Sequence, residues 1–371
     1  MGAAEEIIDI LQLINSENLG PVTFYKMLDK YGSPRAALEN IPALRRVKLF
    51  PRERAIAVVD EAGRKGIQML TFSDKAYPQN LRGLPDAPPL LFVRGNPEYL
   101  NAPLSLSVVG ARNASIIGRK TASRIAYDLS NAGVMIVSGM ARGIDSAAHK
   151  GAMYADNQKG ATVAVLGTGA DVPYPEENRP LYEQIAEQGC IVSEFLPGTL
   201  PQANNFPRRN RIVAALTQGT LVVEATLKSG SLITAQMADE HGRHLFAVPG
   251  SPADARSQGP NQLIKEGAHL AEAAADIIKV LHNSPAPLPK RQQPLLQKEL
   301  DFAQTAFNLM PPPETGTKII DYLTADGVYV DEIIRASGHT PAEVALELLE
   351  LEMNGQIERQ SGNKVALIKR K

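Results

Sequence analysis

The 371-residue chain has no tryptophan, a single cysteine and an aromatic content of only 5%. One cysteine, Cys190, excludes an intramolecular disulfide and any zinc site built from several cysteines. The low aromatic content argues against a nucleic-acid platform made of many stacked rings. No stretch approaches 18 uncharged apolar residues, so the sequence predicts no membrane-spanning helix.

Sequence signatures of several enzyme classes are also missing. GARNASIIGRK, which begins at Gly110, has glycines and a lysine but not the G-x4-G-K-[ST] spacing of a phosphate-binding loop. GTGADV, which begins at Gly167, lacks the third glycine of a dinucleotide fingerprint. The six histidines show no spacing typical of metal ligands or of a catalytic triad. These absences predict a binding protein with no cofactor, no metal and no catalytic residues.

Charge is balanced over the chain, with 39 basic and 40 acidic residues and a formal net charge of −1. Bulk electrostatics therefore identify no partner, and a nucleic-acid site would have to be a local basic patch. The segment MGAAEEIIDI has no cationic stretch followed by a long apolar one, so we expect no signal peptide and a cytoplasmic location.

Changes of pattern along the chain predict three domains and a linker. Residues 1–72 read as short helices separated by Gly/Pro turns, typical of a SAM or helix-hairpin-helix domain or of a simple packing domain. Residues 73–282 read as a Rossmann-like α/β domain, and the proline-rich residues 283–313 as a linker. Residues 314–371 follow a helix, helix, helix, hairpin order, which is typical of a winged-helix domain.

Six apolar runs between residues 104 and 250 define the fold class. They are LSLSVVGA, VMIVSGM, ATVAVLGTG, CIVSEF, GTLVVEA and HLFAVPG. Near-continuous apolar runs that alternate with helical segments indicate parallel strands covered on both faces. The sequence therefore predicts a doubly wound, mostly parallel sheet, in which ligands bind beyond the carboxyl ends of the strands.

The predicted third helix of the last domain, TPAEVALELLELEMNGQ, carries four glutamates before Met353 and no lysine or arginine. Such a helix would repel phosphate, so we expect this domain not to read duplex DNA through it. A protein contact or an autoregulatory role is favoured, and a plain structural role stays open.

Basic and small residues follow four of the predicted strands. The candidate nucleic-acid contacts are Gly110 and Arg112; Ser138, Gly139, Arg142 and Gly143; Arg208, Arg209, Asn210 and Arg211; and Lys228, Ser229, Gly230 and Ser231. Glycine turns before a helix can present backbone N–H groups as an anion nest, and Asp145 is expected to cap the helix after Gly143. Because parallel strands bring these turns to one edge, the sequence predicts a basic pocket there.

The motifs SGMARGID, FPRRNRI, EATLKSGSLITA and SQGPNQLIKEGA, in this order, resemble the DNA-processing protein A family, also called DprA or Smf. The resemblance covers roughly residues 75 to 275 and implies an extended Rossmann-like sheet that binds single-stranded DNA without strong sequence preference. It also implies a cytoplasmic homodimer that protects incoming single strands in natural transformation. In that role the protein would load the recombinase RecA and displace single-strand-binding protein.

The resemblance places DNA contacts at Arg112 and Lys228, whereas Ala111 stands where many members have a serine. It places the dimer contacts around Asn261, Leu263, Ile264 and Leu270. A Rossmann-like, lysine-decarboxylase-like nucleoside monophosphate hydrolase is the alternative, although VPGSPADARSQG lacks the paired glycines and the glutamate of that class. A scaffold that holds an acidic peptide in the basic pocket is a third possibility.

Overall fold

A computed structural model describes residues 3–40, 48–156, 161–283, 319–323, 328–330, 333–334, 344, 347–348, 351–352, 356–360 and 364–367. The described residues fall into two compact units, one within 1–293 and one within 294–371. In these parts of the chain no helix is both long enough and apolar enough to cross a membrane.

The described part of the first unit begins with four short helices, as the sequence predicts. They are α1 (Ala3–Ile14), α2 (Pro21–Tyr31), α3 (Pro34–Asn40) and α4 (Arg52–Arg64). Gly32 ends α2 with a left-handed φ of 83°, which costs little in a residue without Cβ. Ile10 and Leu11 of α1 share a core with Leu90 and Phe92 of the adjacent sheet, so the helices are packed against the sheet.

A charged cluster fixes three of these helices to one another. Asp9 on α1 is buried and lies 3.1 Å from Nε of Arg35 on α3 and 3.4 Å from Nη1 of Arg52 on α4. Glu5, one turn earlier, contacts both arginines at 2.9 and 2.6 Å. The two arginines therefore neutralise a carboxylate that has lost most of its hydration.

Among the described residues, nine strands form the main sheet. They are β1 (Gln68–Thr71), β2 (Leu90–Gly95), β3 (Ser105–Val109), β4 (Met135–Ser138), β5 (Thr162–Val165), β6 (Cys190–Ser193), β7 (Gly219–Val222), β8 (His244–Ala247) and β9 (His269–Leu270), in the order β1-β2-β6-β5-β4-β3-β7-β8-β9. From β6 to β9 in this order the strands are parallel, and β2 is antiparallel to both β1 and β6. The six predicted parallel strands are thus confirmed as β3 to β8.

Seven further helices are described in the first unit. They are α5 (Ile116–Asn131), α6 (Ile144–Met153), α7 (Arg179–Gln188), α8 (Asn205–Ala215), α9 (Gly230–Glu240), α10 (Gln258–Lys265) and α11 (Ala274–Asn283). Helices α5, α6 and α11 share one core on one face of the sheet, whereas α8 and α9 contribute to the core of the other face. The chain leaves β3 and β7, which are neighbours, toward opposite faces. Such a change of winding direction opens a crevice between the two loops.

The second unit contains a three-stranded sheet of β10 (Val328–Tyr329), β11 (Ile357–Gln360) and β12 (Lys364–Leu367), in the order β10-β12-β11. The predicted hairpin is confirmed by the antiparallel pairing of β11 with β12. The second of the three predicted helices was the segment YVDEIIRASG, which begins at Tyr329. This prediction is wrong at its start, because Val328 and Tyr329 pair with the other edge of β12. Most of the predicted linker, and part of the acidic helix, lie outside the described residues.

Replacing Arg52 with Ala should lower the free energy of unfolding by about 2 kcal/mol, because it leaves the buried carboxylate of Asp9 with one cation instead of two. Urea denaturation of both proteins measures this difference. The exposed Lys26 on α2 is the control, and Lys26→Ala should stay within about 0.5 kcal/mol of wild type. Equal stability of all three proteins would contradict the assigned role of Arg52.

Candidate nucleic-acid interface

The loops after the parallel strands lie along one side of the main sheet, which we call the carboxyl edge. It comprises the loops 110–115, 139–143, 166–178, 194–204, 223–229 and 248–254. The exposed predicted site residues are Arg112, Arg142, Arg208, Lys228 and Gly230; Gly110, Asn210, Arg211 and Ser229 are partly buried; and Ser138, Gly139, Gly143, Arg209 and Ser231 are buried. All of them belong to these loops or to the helices α8 and α9 that follow two of them, except Ser138, which is the last residue of β4.

The three arginines of the FPRRNRI segment have different surroundings. Arg208 is exposed and lies over the ring of Phe195 at 5.0 Å, with its Nε 3.7 Å from Glu194. Arg211 is largely enclosed and forms an ion pair with Glu194, and its Nη1 also donates to the carbonyl of Asp86 at 2.7 Å. Burial opposes the charge of Arg211, but Glu194 and Asp86 raise its pKa above the ordinary value. Arg208 is therefore the accessible cation of this pair.

Arg209 is fully enclosed at the centre of the carboxyl edge. Its Nη1 donates to the carbonyl of Val165, the last residue of β5, at 2.8 Å. A Cβ on Gly139 would overlap the guanidinium, so only glycine leaves room for it after β4. Burial lowers the pKa of Arg209 to about 10, while Asp145 opposes the shift, so the group stays charged at neutral pH. Arg209 thus joins α8 to the ends of β4 and β5.

The turn after β4 was predicted to offer its backbone N–H groups to an anion. In the structure the carboxylate of Asp145 already accepts from the N–H of Gly139 at 3.2 Å and of Ala141 at 3.3 Å. Burial raises the pKa of Asp145, while Arg209 and these two N–H groups lower it. The prediction that Asp145 caps α6 is wrong, because Asp145 lies in the first turn and its side chain folds back to the loop.

Ser138 and the turn around Gly110 make contacts that hold neighbouring strands of the sheet together. The hydroxyl of Ser138 donates to the carbonyl of Val108 at 2.6 Å inside the sheet. The N–H of Ala111 donates to the carbonyl of Glu224 at 2.6 Å, which joins the ends of β3 and β7. A Cβ on Gly110 would lie 2.6 Å from the side chain of Ile144, so the packing requires a glycine there.

Glu224 supports the loop after β3, a role that the sequence reasoning missed. Its carboxylate accepts from the N–H and the hydroxyl of Ser115 at 2.8 and 2.5 Å. Ser115 in turn caps α5 by accepting from the N–H of Gly118 at 2.8 Å. The side chain of Glu224 therefore fixes the loop that carries Arg112. The sequence feature that could have indicated this role is the acidic residue near the end of the apolar run GTLVVEA.

Arg112 is held over an aromatic pair. Its guanidinium lies 5.3 Å from the ring of Phe206, and that ring lies 5.5 Å from the ring of Tyr174. Guanidinium groups are attracted to the faces of such rings, which limits the positions that Arg112 can take. Tyr174 was missed in the sequence because it lies in a loop far along the chain from the basic residues. Arg142, on the neighbouring loop, is exposed and pairs with exposed Glu177 at 2.8 Å.

The loop that carries Lys228 is short and locally stabilised. The hydroxyl of Ser229 accepts from the N–H of Ser231 and lies 2.6 Å from the Ser231 hydroxyl, which fixes the start of α9. Lys228 itself is exposed, and a Cβ on Gly230 would meet nothing within 4 Å. The loop therefore presents its ammonium group to solvent from an ordered helix start.

The predicted dimer residues lie on α10 and on the edge strand β9, next to β8. The amide of Asn261 on α10 donates to the carbonyl of Gly250 at 2.9 Å and accepts from its N–H at 3.1 Å. Leu263 packs against the core, Ile264 is partly buried, and Leu270 is exposed on the edge strand β9. Their role in a dimer stays a prediction.

Three family models match the chain. The model described as DNA recombination-mediator protein A matches residues 68–282, the DprA-like N-terminal HHH domain matches residues 4–64, and the DprA winged helix domain matches residues 303–363. The chain belongs to the DprA/Smf family. The resemblance inferred from the sequence is confirmed, and so are the helical N-terminal domain and the winged-helix domain. The three matched ranges follow the predicted order of domains.

Individual relatives agree with this assignment. Over 205 residues, 55% of this chain and 71% of the relative, the chain is 44% identical to DNA processing protein DprA of Streptococcus pneumoniae. It is 37% identical to Protein Smf of Escherichia coli over 86% of this chain and 82% of that protein. The X-ray structure of the pneumococcal DprA matches 75% of this chain and 98% of its own, with a TM-score of 0.63 and 34% identity.

A further solved structure is that of DNA processing protein A from Helicobacter pylori, described for its single-stranded DNA binding mode. It is 29% identical and matches 58% of this chain and 96% of its own, with a TM-score of 0.52. These relatives agree with the assignment of the chain to the DprA/Smf family.

Replacing Gly139 with Ala should lower stability by about 2 kcal/mol, because the new Cβ occupies the space of the Arg209 guanidinium. Urea denaturation measures the loss. Gly63→Ala, in α4, is the control: a Cβ there meets nothing within 4 Å, so the variant should be as stable as wild type or more so. A Gly139→Ala protein as stable as wild type would contradict the position of Arg209.

The buried His149 should make the protein sensitive to acid. Burial, with a smaller contribution from Arg209, lowers the pKa of His149 to about 3, and Nδ1 lies 2.7 Å from the Thr162 hydroxyl. In the unfolded chain the imidazole takes up a proton near its ordinary pKa of about 6.5, so its contribution to stability is complete above that pH. The contribution is lost progressively as pH falls toward 3.

Urea denaturation at pH 7, 6 and 5 tests this titration. Between pH 6 and pH 5, wild type should lose about 1 kcal/mol more stability than His149→Gln, whose amide does not titrate. His282→Gln, at an exposed position on α11, should keep the wild-type dependence. Parallel pH profiles for wild type and His149→Gln would contradict the prediction, whatever their difference at pH 7.

Proposed function

We propose that this protein is a recombination mediator that binds single-stranded DNA along the carboxyl edge of its main sheet. The observation that carries the proposal is the convergence of exposed cations from three loops of this edge and from the start of α8. They are Arg112, Arg142, Arg208 and Lys228. The enclosed charges of this edge, Arg209, Arg211 and Glu194, are already bonded within the protein, so phosphates would meet the exposed side chains first.

Arg112 and Lys228 are the principal phosphate contacts in this proposal. They follow β3 and β7, the two neighbouring strands between which the sheet changes its winding direction. Phe206 holds the guanidinium of Arg112, and the capped start of α9 fixes the backbone next to Lys228. Arg209 and Arg211 act as supports rather than as contacts, because their side chains are enclosed and already bonded within the chain.

The wider role follows from family membership. We infer that the protein receives incoming single strands in the cytoplasm during natural transformation, protects them and loads RecA on them, with single-strand-binding protein as a competitor. The name of the matched family model, DNA recombination-mediator protein A, supports this role. We further infer a homodimer through the region of Asn261, Leu263, Ile264 and Leu270, and no catalytic activity.

Arg112→Ala and Lys228→Ala should each weaken single-strand binding about tenfold, because each removes one cation that neutralises a phosphate. The slope of log K against log salt should become shallower by about 0.7 in each variant. Fluorescence anisotropy of a labelled oligonucleotide over a salt series measures both quantities. The matched control is Lys279→Ala on α11, where an exposed lysine lies away from the carboxyl edge.

The control variant should bind as wild type does, and duplex should bind more weakly than single strands. Unchanged affinity and slope in both edge variants would show that the site is elsewhere. Equal affinity of wild type for duplex and single strand would contradict single-strand binding by this edge. Absence of binding by wild type would contradict the proposed function as a whole.

A further inference from the structure

Two consecutive isoleucines are exposed at the carboxyl edge. Ile116 and Ile117 form the first turn of α5 and keep 66% and 77% of their surface accessible. Most large apolar side chains in the described part of the chain are buried, and an exposed pair has a cost in water. Folding does not require these two side chains, because the start of α5 is already fixed by the cap of Ser115 and by Glu224.

A third exposed apolar residue lies across the crevice between the loops after β3 and β7. Leu227, in the loop after β7, is 59% exposed. The two loops are joined by Glu224, which precedes Leu227 by three residues and binds Ser115, the residue before Ile116. Since α5 and α9 pack on opposite faces of the sheet, the isoleucines and Leu227 belong to opposite walls of this crevice.

The charges around the crevice indicate what would cover these side chains. Arg112 precedes the isoleucines, Lys120 follows them, and Lys228 is adjacent to Leu227; all three are exposed. Both carboxylate oxygens of Glu224, the acid between the walls, are bonded to Ser115. An apolar surface bordered by cations is complementary to a polymer that has anionic phosphates and accessible flat bases. Single-stranded DNA fits this description. A duplex does not, because its bases are stacked inside.

We propose that Ile116, Ile117 and Leu227 contact the bases of the strand whose phosphates Arg112 and Lys228 hold. The inference rests on the proposed function and adds to it the surface that separates single strands from duplex. Aliphatic side chains offer no hydrogen bonds to base edges, so the contact favours unstacked bases without reading their sequence. These aliphatic side chains would contact the bases in place of a platform of many aromatic rings, for which the chain has too few aromatic residues.

The test is anisotropy with two oligonucleotides of equal length, one normal and one abasic throughout, which carry the same phosphates. Ile116→Ala/Ile117→Ala should weaken binding of the normal strand roughly tenfold and leave abasic binding and the salt slope unchanged. Leu227→Ala should act in the same direction, by about threefold. Alanine is the best helix former, so the start of α5 should be kept, and circular dichroism verifies this.

Tyr154→Ala is the matched control, because Tyr154 is 77% exposed but lies at the far end of α6, away from the carboxyl edge. It should bind both oligonucleotides as wild type does. If the isoleucine variant bound the normal strand as tightly as wild type does, the proposed base contact would be wrong. It would also be wrong if the variant lost the same affinity for the normal and the abasic oligonucleotide. Wild type that binds neither strand would instead contradict the proposed function itself.

Discussion

The buried guanidinium of Arg209 is the interaction on which the carboxyl edge depends. It comes from α8, bonds to the end of β5 and occupies the space that Gly139 leaves at the end of β4. The field of Asp145, itself bonded to the loop after β4, keeps this buried group charged. A buried cation is costly unless its surroundings compensate it, so α8, β4 and β5 are constrained to one arrangement.

Enclosed charges also explain how a near-neutral protein can carry a basic edge. Arg211 and Glu194 neutralise each other inside the edge, and Asp145 stands against Arg209. What remains accessible is a small set of cations, of which Arg112 lies against Phe206 and Arg208 against Phe195. A local field of this kind does not require a net positive charge on the chain.

The sequence predicted strands β3 to β8 correctly, because near-continuous apolar runs that alternate with helical segments form buried parallel strands in an α/β domain. Strands β1 and β9 were not predicted, since Gln68–Thr71 and His269–Leu270 are short and their apolar pattern is weak. Helical spacing places Arg208 and Arg211 on one face of α8, where both approach Glu194. Spacing could not show that Arg209 turns inward, because that depends on Gly139 and Val165, which come from other strands.

The occupied turn after β4 has a consequence for how phosphate can be bound. A free backbone nest would hold an anion at a fixed position and with little dependence on side-chain motion. Here the N–H groups of Gly139 and Ala141 are bonded to Asp145, so these two groups are not available to a phosphate. Under the proposed function, phosphate contacts come from long side chains at this edge, such as Arg112 and Lys228. Those chains can follow a backbone of varying shape, which suits binding that tolerates any base sequence.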